Sequence, residues 1–283
     1  MTIIFPDECN FMRLTSVGQE PSNLKVYINK WIDKQNKKII KNDERLTVVE
    51  NDVLKLKAEI GKEIVNPIDY KGKEITVFNK GLCIGDSLTA GVFNHNEAGN
   101  IEYVQISKYS YPTYFTKICG VETTNWGMGG NTTKSWYEAK KDENWSGYDF
   151  AIINLGANDS KITVSESKEY LIKIVDKLKK QNKNIKIFIA TQLPAYYTTN
   201  IEFFSQINRN INEVVDSNES CYLVDLSTYS ECKENSIYAQ GHLTALGYLK
   251  EAEEHISYIS YIISNNKEQF KYVQFIGTNY SFV

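Results

Sequence analysis

An α/β fold around a parallel sheet, preceded by a coiled-coil helix, is what this 283-residue sequence predicts. Three observations carry the prediction. From about residue 76, short β-rich runs alternate with amphipathic helical patterns. Several of those runs end in small, polar, glycine-containing clusters. Ahead of them, apolar residues recur every seven positions for nearly five heptads.

Residues 1–24 have no clear period and include Pro6, Gly18 and Pro21, so an irregular attachment segment is expected there. Over 25–61 the seam is Ile32, Ile39, Leu46, Val53 and Ile60, accompanied four residues earlier by Ile28, Gln35, Asn42, Val49 and Leu56. Charged and amide side chains surround it. A single helix with so narrow an apolar stripe is poorly stabilised alone, which favours a coiled coil over a helix lying on the domain. Gln35 and Asn42 weaken the seam and would set its register. Gly61 and Pro67 stop the helix, and 62–75 reads as a linker.

The strand candidates are Ile75–Ile84, Val121–Asn125, Phe150–Leu155, Ile185–Thr191 and Cys221–Leu226. Between and after the later ones, Tyr170, Leu171, Ile174, Val175 and Leu178 share one helical face. Ala245, Leu249, Ala252, Ile256, Ile259 and Ile263 share another. Strands alternating with helices imply right-handed βαβ units and a parallel sheet covered on both faces. The domain is expected over 76–270, followed by a tail, 271–283. In such folds ligands bind at the carboxyl ends of the strands.

Composition removes several function classes. Hydrophobic residues are 42% of the chain, enough for one core of about 200 residues plus an accessory segment. The net charge is −3, the only arginines are Arg13, Arg45 and Arg209, and the lysines are scattered, so no nucleic-acid partner is expected. Cys9, Cys83, Cys119, Cys221 and Cys232 form no CxxC pair and read as free thiols. With three histidines, a multi-histidine metal centre is not expected. No run of apolar residues is long enough to span a membrane. The first residues lack the basic start and apolar run of a signal peptide, so export would need another route.

The chemistry lies in four clusters. The first candidate strand ends in Gly85-Asp86-Ser87-Leu88, the second in Asn125-Trp-Gly127-Met-Gly129-Gly130-Asn131-Thr132, and the third in Gly156-Ala157-Asn158-Asp159. The fourth, Gly241-His242-Leu243-Thr244, opens the last long helix. Acyl transfer needs a hydroxyl nucleophile, a base and oxyanion donors. Ser87, His242, the Gly130 backbone N–H and the Asn158 amide are of those types. The blander readings are a turn serine, a turn-forming asparagine and, for His95 and His255, residues without chemistry. Cys83 reads as core. A G-x-S-x-G elbow fails at Thr89, and a dinucleotide G-x-G-x-x-G fails at Thr132.

Together the four clusters, in order over roughly 76–263, resemble the SGNH (GDSL) hydrolases, whose blocks contribute serine, glycine, asparagine and histidine. The resemblance implies a flavodoxin-like three-layer α/β/α sandwich with a parallel sheet of about five strands. It implies ester hydrolysis through an acyl-enzyme, with Ser87 as nucleophile and His242 as base. Ser87, Gly130 and Asn158 would form the oxyanion hole, with no metal or organic cofactor. In one place the sequence departs from the pattern: the family usually has aspartate three residues before the histidine, and here that residue is Ala239. Asp225 and Glu234 are candidate substitutes, as is a backbone carbonyl. Among the abundant tyrosines, Tyr109, Tyr111, Tyr114, Tyr196 and Tyr197 would either fill the core or form a rim on which sugar rings stack.

A coiled-coil stalk bearing an esterase head resembles a bacteriophage tail or baseplate appendage. That implies a homotrimeric, virion-borne enzyme removing O-acetyl groups from a host surface polysaccharide or teichoic acid, with 1–24 docking onto other tail proteins. Two other functions remain open: a degenerate module that only binds glycan, and a lipase or thioesterase acting on fatty acyl esters. A bacterial location, cytoplasmic or non-classically exported, is the alternative to the virion.

Overall fold

The structure is a computed structural model that describes residues 33–34, 36–37, 66–97, 100–194, 200–233, 237–271 and 273. The chain divides into two compact units, Met1–Ile64 and Val65–Val283. In the first unit the described residues are helical and exposed. The expected attachment segment 1–24, and the expected coiled coil 25–61 apart from those residues, lie outside the described residues, as does most of the tail 271–283.

The second unit starts earlier than the sequence suggested. Two 3-10 turns, Pro67–Asp69 and Glu74–Val77, bury Ile68 and Ile75, and Ile75 N donates to Ser260 Oγ at 3.2 Å. The linker expected over 62–75 is therefore corrected at Pro67, Ile68 and Ile75, which are buried, while Asp69, Lys71 and Lys73 between them are exposed. Covering each such side chain is worth about 1.5–3 kcal/mol, which a free linker would forgo. The first strand accordingly begins at Lys80 rather than Ile75.

The chain continues through β1 (Lys80–Gly85), α1 (Ser87–Ala90), β2 (Val92–Glu97), β3 (Asn100–Gln105), α2 (Tyr111–Cys119), β4 (Glu122–Gly127) and α3 (Thr133–Lys140). Then come β5 (Phe150–Asn154), α4 (Val164–Gln181), β6 (Lys186–Ala190), α5 (Ile201–Asp216), β7 (Cys221–Val224) and α6 (Leu226–Tyr229). It closes with β8 (Ala239–Gln240), β9 (His242–Leu243), α7 (Ala245–Asn265) and α8 (Lys267–Phe270).

Five parallel strands form one sheet in the order β4-β1-β5-β6-β7, the flavodoxin-like arrangement. Both faces are covered, which is why β1, β5, β6 and β7 read as largely apolar runs, whereas the edge strand β4 is polar and half-buried. In β5, Phe150 and Ile152 join the core that includes α2 and α7 residues, while Ala151 and Ile153 join the one formed with α3, α4 and α5. The apolar stripes of α4 (Leu171, Ile174, Val175, Leu178) and α7 (Ala252, Ile256, Ile259, Ile263) are buried as their spacing requires. Among the described residues no helix is long and apolar enough to cross a membrane.

This strand order positions the site. β1 lies between β4 and β5, so the loops leaving all three open at the same sheet edge. Chain connections from β1 diverge to the two faces there, leaving a crevice. At Gly127 the end of β4 passes so near α1 that a methyl group would overlap the Ala90 backbone nitrogen. Two antiparallel pairs were not anticipated: β2 with β3, and β8 with β9, which carries His242. His95, expected in a loop, lies in β2 and is exposed.

Candidate active site

Ser87 begins α1 directly after β1, and Asp86 caps that turn by accepting from Leu88 N at 3.0 Å. His242 sits on β9, just before Thr244 caps α7. The tertiary fold brings these residues, 155 apart in sequence, together: His242 Nε2 lies 2.9 Å from Ser87 Oγ. The other ring nitrogen, Nδ1, lies 2.7 Å from Oδ1 of Asn94, in the unanticipated hairpin. Burial holds the imidazole below its ordinary 6.5, so it is neutral at neutral pH. A hydroxyl hydrogen-bonded to a neutral imidazole, itself held from behind, is the geometry nucleophilic acyl transfer requires.

Asp225, a candidate partner for His242, is elsewhere. Its Oδ1 accepts from Thr191 Oγ1, Ser227 Oγ and Thr228 N, capping α6 at the end of β7. Glu234 lies outside the described residues. Ala239, in β8, carries no polar side chain.

The remaining blocks are cross-braced by buried polar side chains. Asn158 Nδ2 donates to Asp86 Oδ2 at 3.1 Å and to the Asn131 carbonyl at 3.2 Å. Asp159, buried behind it, accepts from the N–H and hydroxyl of Thr133, each at 2.8 Å, and so ties the third cluster to the start of α3. Asn125 Nδ2 donates to the Thr89 carbonyl at 2.8 Å while its Oδ1 accepts from Gly127 N. Gly130 is exposed in the loop after β4, with a left-handed φ of 73° that favours glycine. Lys161 Nζ donates to its carbonyl at 3.2 Å.

Ser87, Asn158 and His242 line one pocket of about 230 Å³; Gly130 is not among its walls. Leu88, Leu193 and Phe204 supply apolar surface and Lys233 a charge. On the hairpin side, the Tyr103 ring stands edge-on to His242 with centroids 5.3 Å apart, and it is 69% exposed. Of the tyrosines weighed as a rim, Tyr111 is fully buried, stacked on His255. Tyr109 and Tyr114 pack together and are half-buried. Tyr196 and Tyr197 lie outside the described residues. Burial pushes the Cys83 thiol up to about 12, in keeping with a core residue.

Sequence reasoning missed Asn94 and Tyr103. A signal for their hairpin existed, since Ile101 and Tyr103 alternate with Asn100 and Glu102 just after Gly99. Nothing local marked which hairpin side chain would face a histidine 148 residues away.

The model of the GDSL-like lipase/acylhydrolase family matches residues 83–250, more than half of the chain. The chain belongs to that family. Its members are serine-type ester hydrolases, so this GDSL-like protein has the SGNH fold and the general chemistry that the four clusters implied. No curated protein matches the chain. Among solved structures, the lipase/acylhydrolase from Enterococcus faecalis is 20% identical with a TM-score of 0.52, covering 65% of this chain and 96% of that one. The family two carbohydrate esterase from Clostridium thermocellum, solved with cellohexaose, is 15% identical with a TM-score of 0.50, covering 68% of this chain and 65% of that one. At those identities the likeness is one of fold.

Proposed function

We propose that this GDSL-like protein removes O-acetyl groups from a bacterial surface polysaccharide or teichoic acid, with Ser87 as nucleophile and His242 as base. The observation that carries the reading is the 2.9 Å contact between Ser87 Oγ and His242 Nε2 at the wall of a small pocket. Ser87 Oγ attacks the acyl carbonyl carbon as its proton passes to His242 Nε2. The tetrahedral oxyanion is met by the Ser87 backbone N–H and the Asn158 amide, which turns one of its two hydrogen bonds to it. The Gly130 N–H is the third donor by resemblance to the family, although Gly130 is not among the pocket walls. Collapse breaks the ester C–O bond and expels the sugar oxygen, which takes the proton from His242 and leaves as a hydroxyl. Water then attacks the acyl-enzyme, returning a proton through His242 to Ser87 and releasing acetate.

A pocket of about 230 Å³ has room for the short acyl group that the O-acetyl reading needs. Tyr103, exposed beside His242, offers a face for a pyranose ring. The heptads over 28–60 support a homotrimeric stalk, with 1–24 docking onto tail or baseplate proteins so that several weak sites act together from a virion. A full-length chain sedimenting as a monomer overturns the stalk.

The test of the activity is acetate release from aryl acetates and acetylated bacterial glycan by the wild type and by Ser87→Ala. Turnover lost in the variant supports the esterase. Glycan binding without turnover in either protein supports the second reading, a binding module. The absence of a carboxylate on His242 among the described residues favours that reading.

A further inference from the structure

We propose that Asn94 is the positioning residue of the site, an amide standing where the family uses a carboxylate. The inference rests on Ser87 and His242 being the reactive pair. The usual position is Ala239, and Asp225 is committed to capping α6. The group that meets His242 Nδ1 is Asn94 Oδ1, at 2.7 Å.

The contact dictates a tautomer. For Nε2 to accept the Ser87 proton, the neutral ring must carry its hydrogen on Nδ1, and that hydrogen needs an acceptor. The Asn94 amide oxygen is one. Were the amide nitrogen turned to the ring instead, Nδ1 would become the acceptor. Nε2 would then carry the hydrogen, and the serine would have no base. Orientation of the Asn94 amide thus decides whether the pair can work.

The hairpin is built to hold that side chain. Val92 begins β2, and its carbonyl accepts from the buried Tyr248 hydroxyl at 2.6 Å. Phe93 packs on Tyr248 with ring centroids 5.1 Å apart, and Ile106 N closes the base of the hairpin on the Gly91 carbonyl at 2.8 Å. With Phe93 pointed into the core, strand alternation sends Asn94 the opposite way, toward β9. From β3, Tyr103 adds its ring edge against the imidazole.

An amide differs from a carboxylate in charge. It fixes orientation and tautomer, but it contributes only a dipole when the ring becomes imidazolium. A carboxylate in that place would raise the imidazole pKa by about 1–3 units. The other titratable groups that share the pocket or a ring contact with His242 among the described residues are Asp86, Cys232, Lys233 and Tyr103; all are unchanged by a substitution at 94.

The experiment is a nitrogen NMR titration of the full-length protein labelled at its three histidines, assigned with His242→Ala, for the wild type, Asn94→Asp and Asn94→Ala. It needs no turnover, so its failure is separate from failure of the esterase reading. The wild type is expected to show His242 as the Nδ1–H tautomer. Asn94→Asp, of the same shape, is expected to raise the His242 pKa by at least one unit. Asn94→Ala is expected to give mixed tautomers. The same tautomer and pKa in wild type and Asn94→Asp overturn the proposal. Where an ester substrate is turned over, Asn94→Ala should lower kcat at least tenfold with KM little changed.

Discussion

Asp86 Oδ2 accepts from the Asn158 amide at 3.1 Å, while Asp86 Oδ1 caps the turn that carries Ser87. One buried carboxylate therefore fixes both the turn that carries Ser87 and the Asn158 amide. Burial is the main reason its pKa is pushed up to about 7. The aspartate of the first block is thus a brace between two strand ends.

Replacing Asp86 with asparagine separates its two roles. At pH 8, where Asp86 is ionised, Asp86→Asn keeps an oxygen for the cap but turns an N–H toward the Asn158 N–H. Its kcat on aryl acetates should fall at least tenfold while its thermal midpoint stays near wild type. Asp86→Ala should lose the cap as well, about 0.5–2 kcal/mol by denaturant titration. Wild-type kcat in Asp86→Asn would show that the contact to Asn158 is not used.

The pH profile follows from His242. Its pKa is depressed by burial, so the neutral base persists into mildly acidic solution. The quantity kcat/KM should rise with pH through an apparent pKa below 6.5 and level off above it. An inflection near 7 that disappears in Asp86→Asn reports Asp86, whose own pKa is pushed up to about 7. One at 7 or higher that persists in that variant would mean that a negative partner, not Asn94, faces the ring.

Tyr103 should discriminate between substrates. Tyr103→Ala removes a ring face offered to a sugar, worth about 0.5–1.5 kcal/mol. The loss in kcat/KM should be about fivefold greater on acetylated glycan than on an aryl acetate. Equal losses on both would assign Tyr103 to holding His242 alone.

Glu251 makes a stability prediction. It is fully buried in α7, accepts from Asn154 Nδ2 at 3.0 Å, and its pKa is raised well above 4.5 chiefly by burial. The folded state therefore holds a proton that the unfolded chain releases above about pH 4.5. This contribution is complete below that pH and declines as pH rises. Glu251→Gln keeps the oxygen that Asn154 meets and removes the titration. The variant should gain stability over wild type, more at pH 7 than at pH 5, by urea titration. Burial lowers His255 to about 4, so it is neutral in the folded state across that window. Its titration in the unfolded chain is common to both proteins, as are Glu254 and Asp86, which act on Glu251 electrostatically. A constant difference between the two pH values would place the ionised form in the folded protein.

What the sequence determined by itself was the repeating local order. Apolar runs at β1, β5, β6 and β7 identified a doubly covered parallel sheet because burial on both faces demands continuous apolarity, while β4, at the sheet edge, is polar and only half-buried. The stripes on α4 and α7 were visible because helical periodicity is a local property. Ser87, Asn158 and His242 were legible because strand-end loops of such a sheet converge. The tertiary structure decided what depends on contacts between distant residues. It chose Asn94 over Asp225 for His242, gave Asp86 and Asp159 their bracing roles, and drew Ile68 and Ile75 into the core. No local pattern encodes those choices. The partner of a side chain is set by where two separate elements are packed, and the hydrogen-bond demand of a buried group is met by whatever that packing brings near.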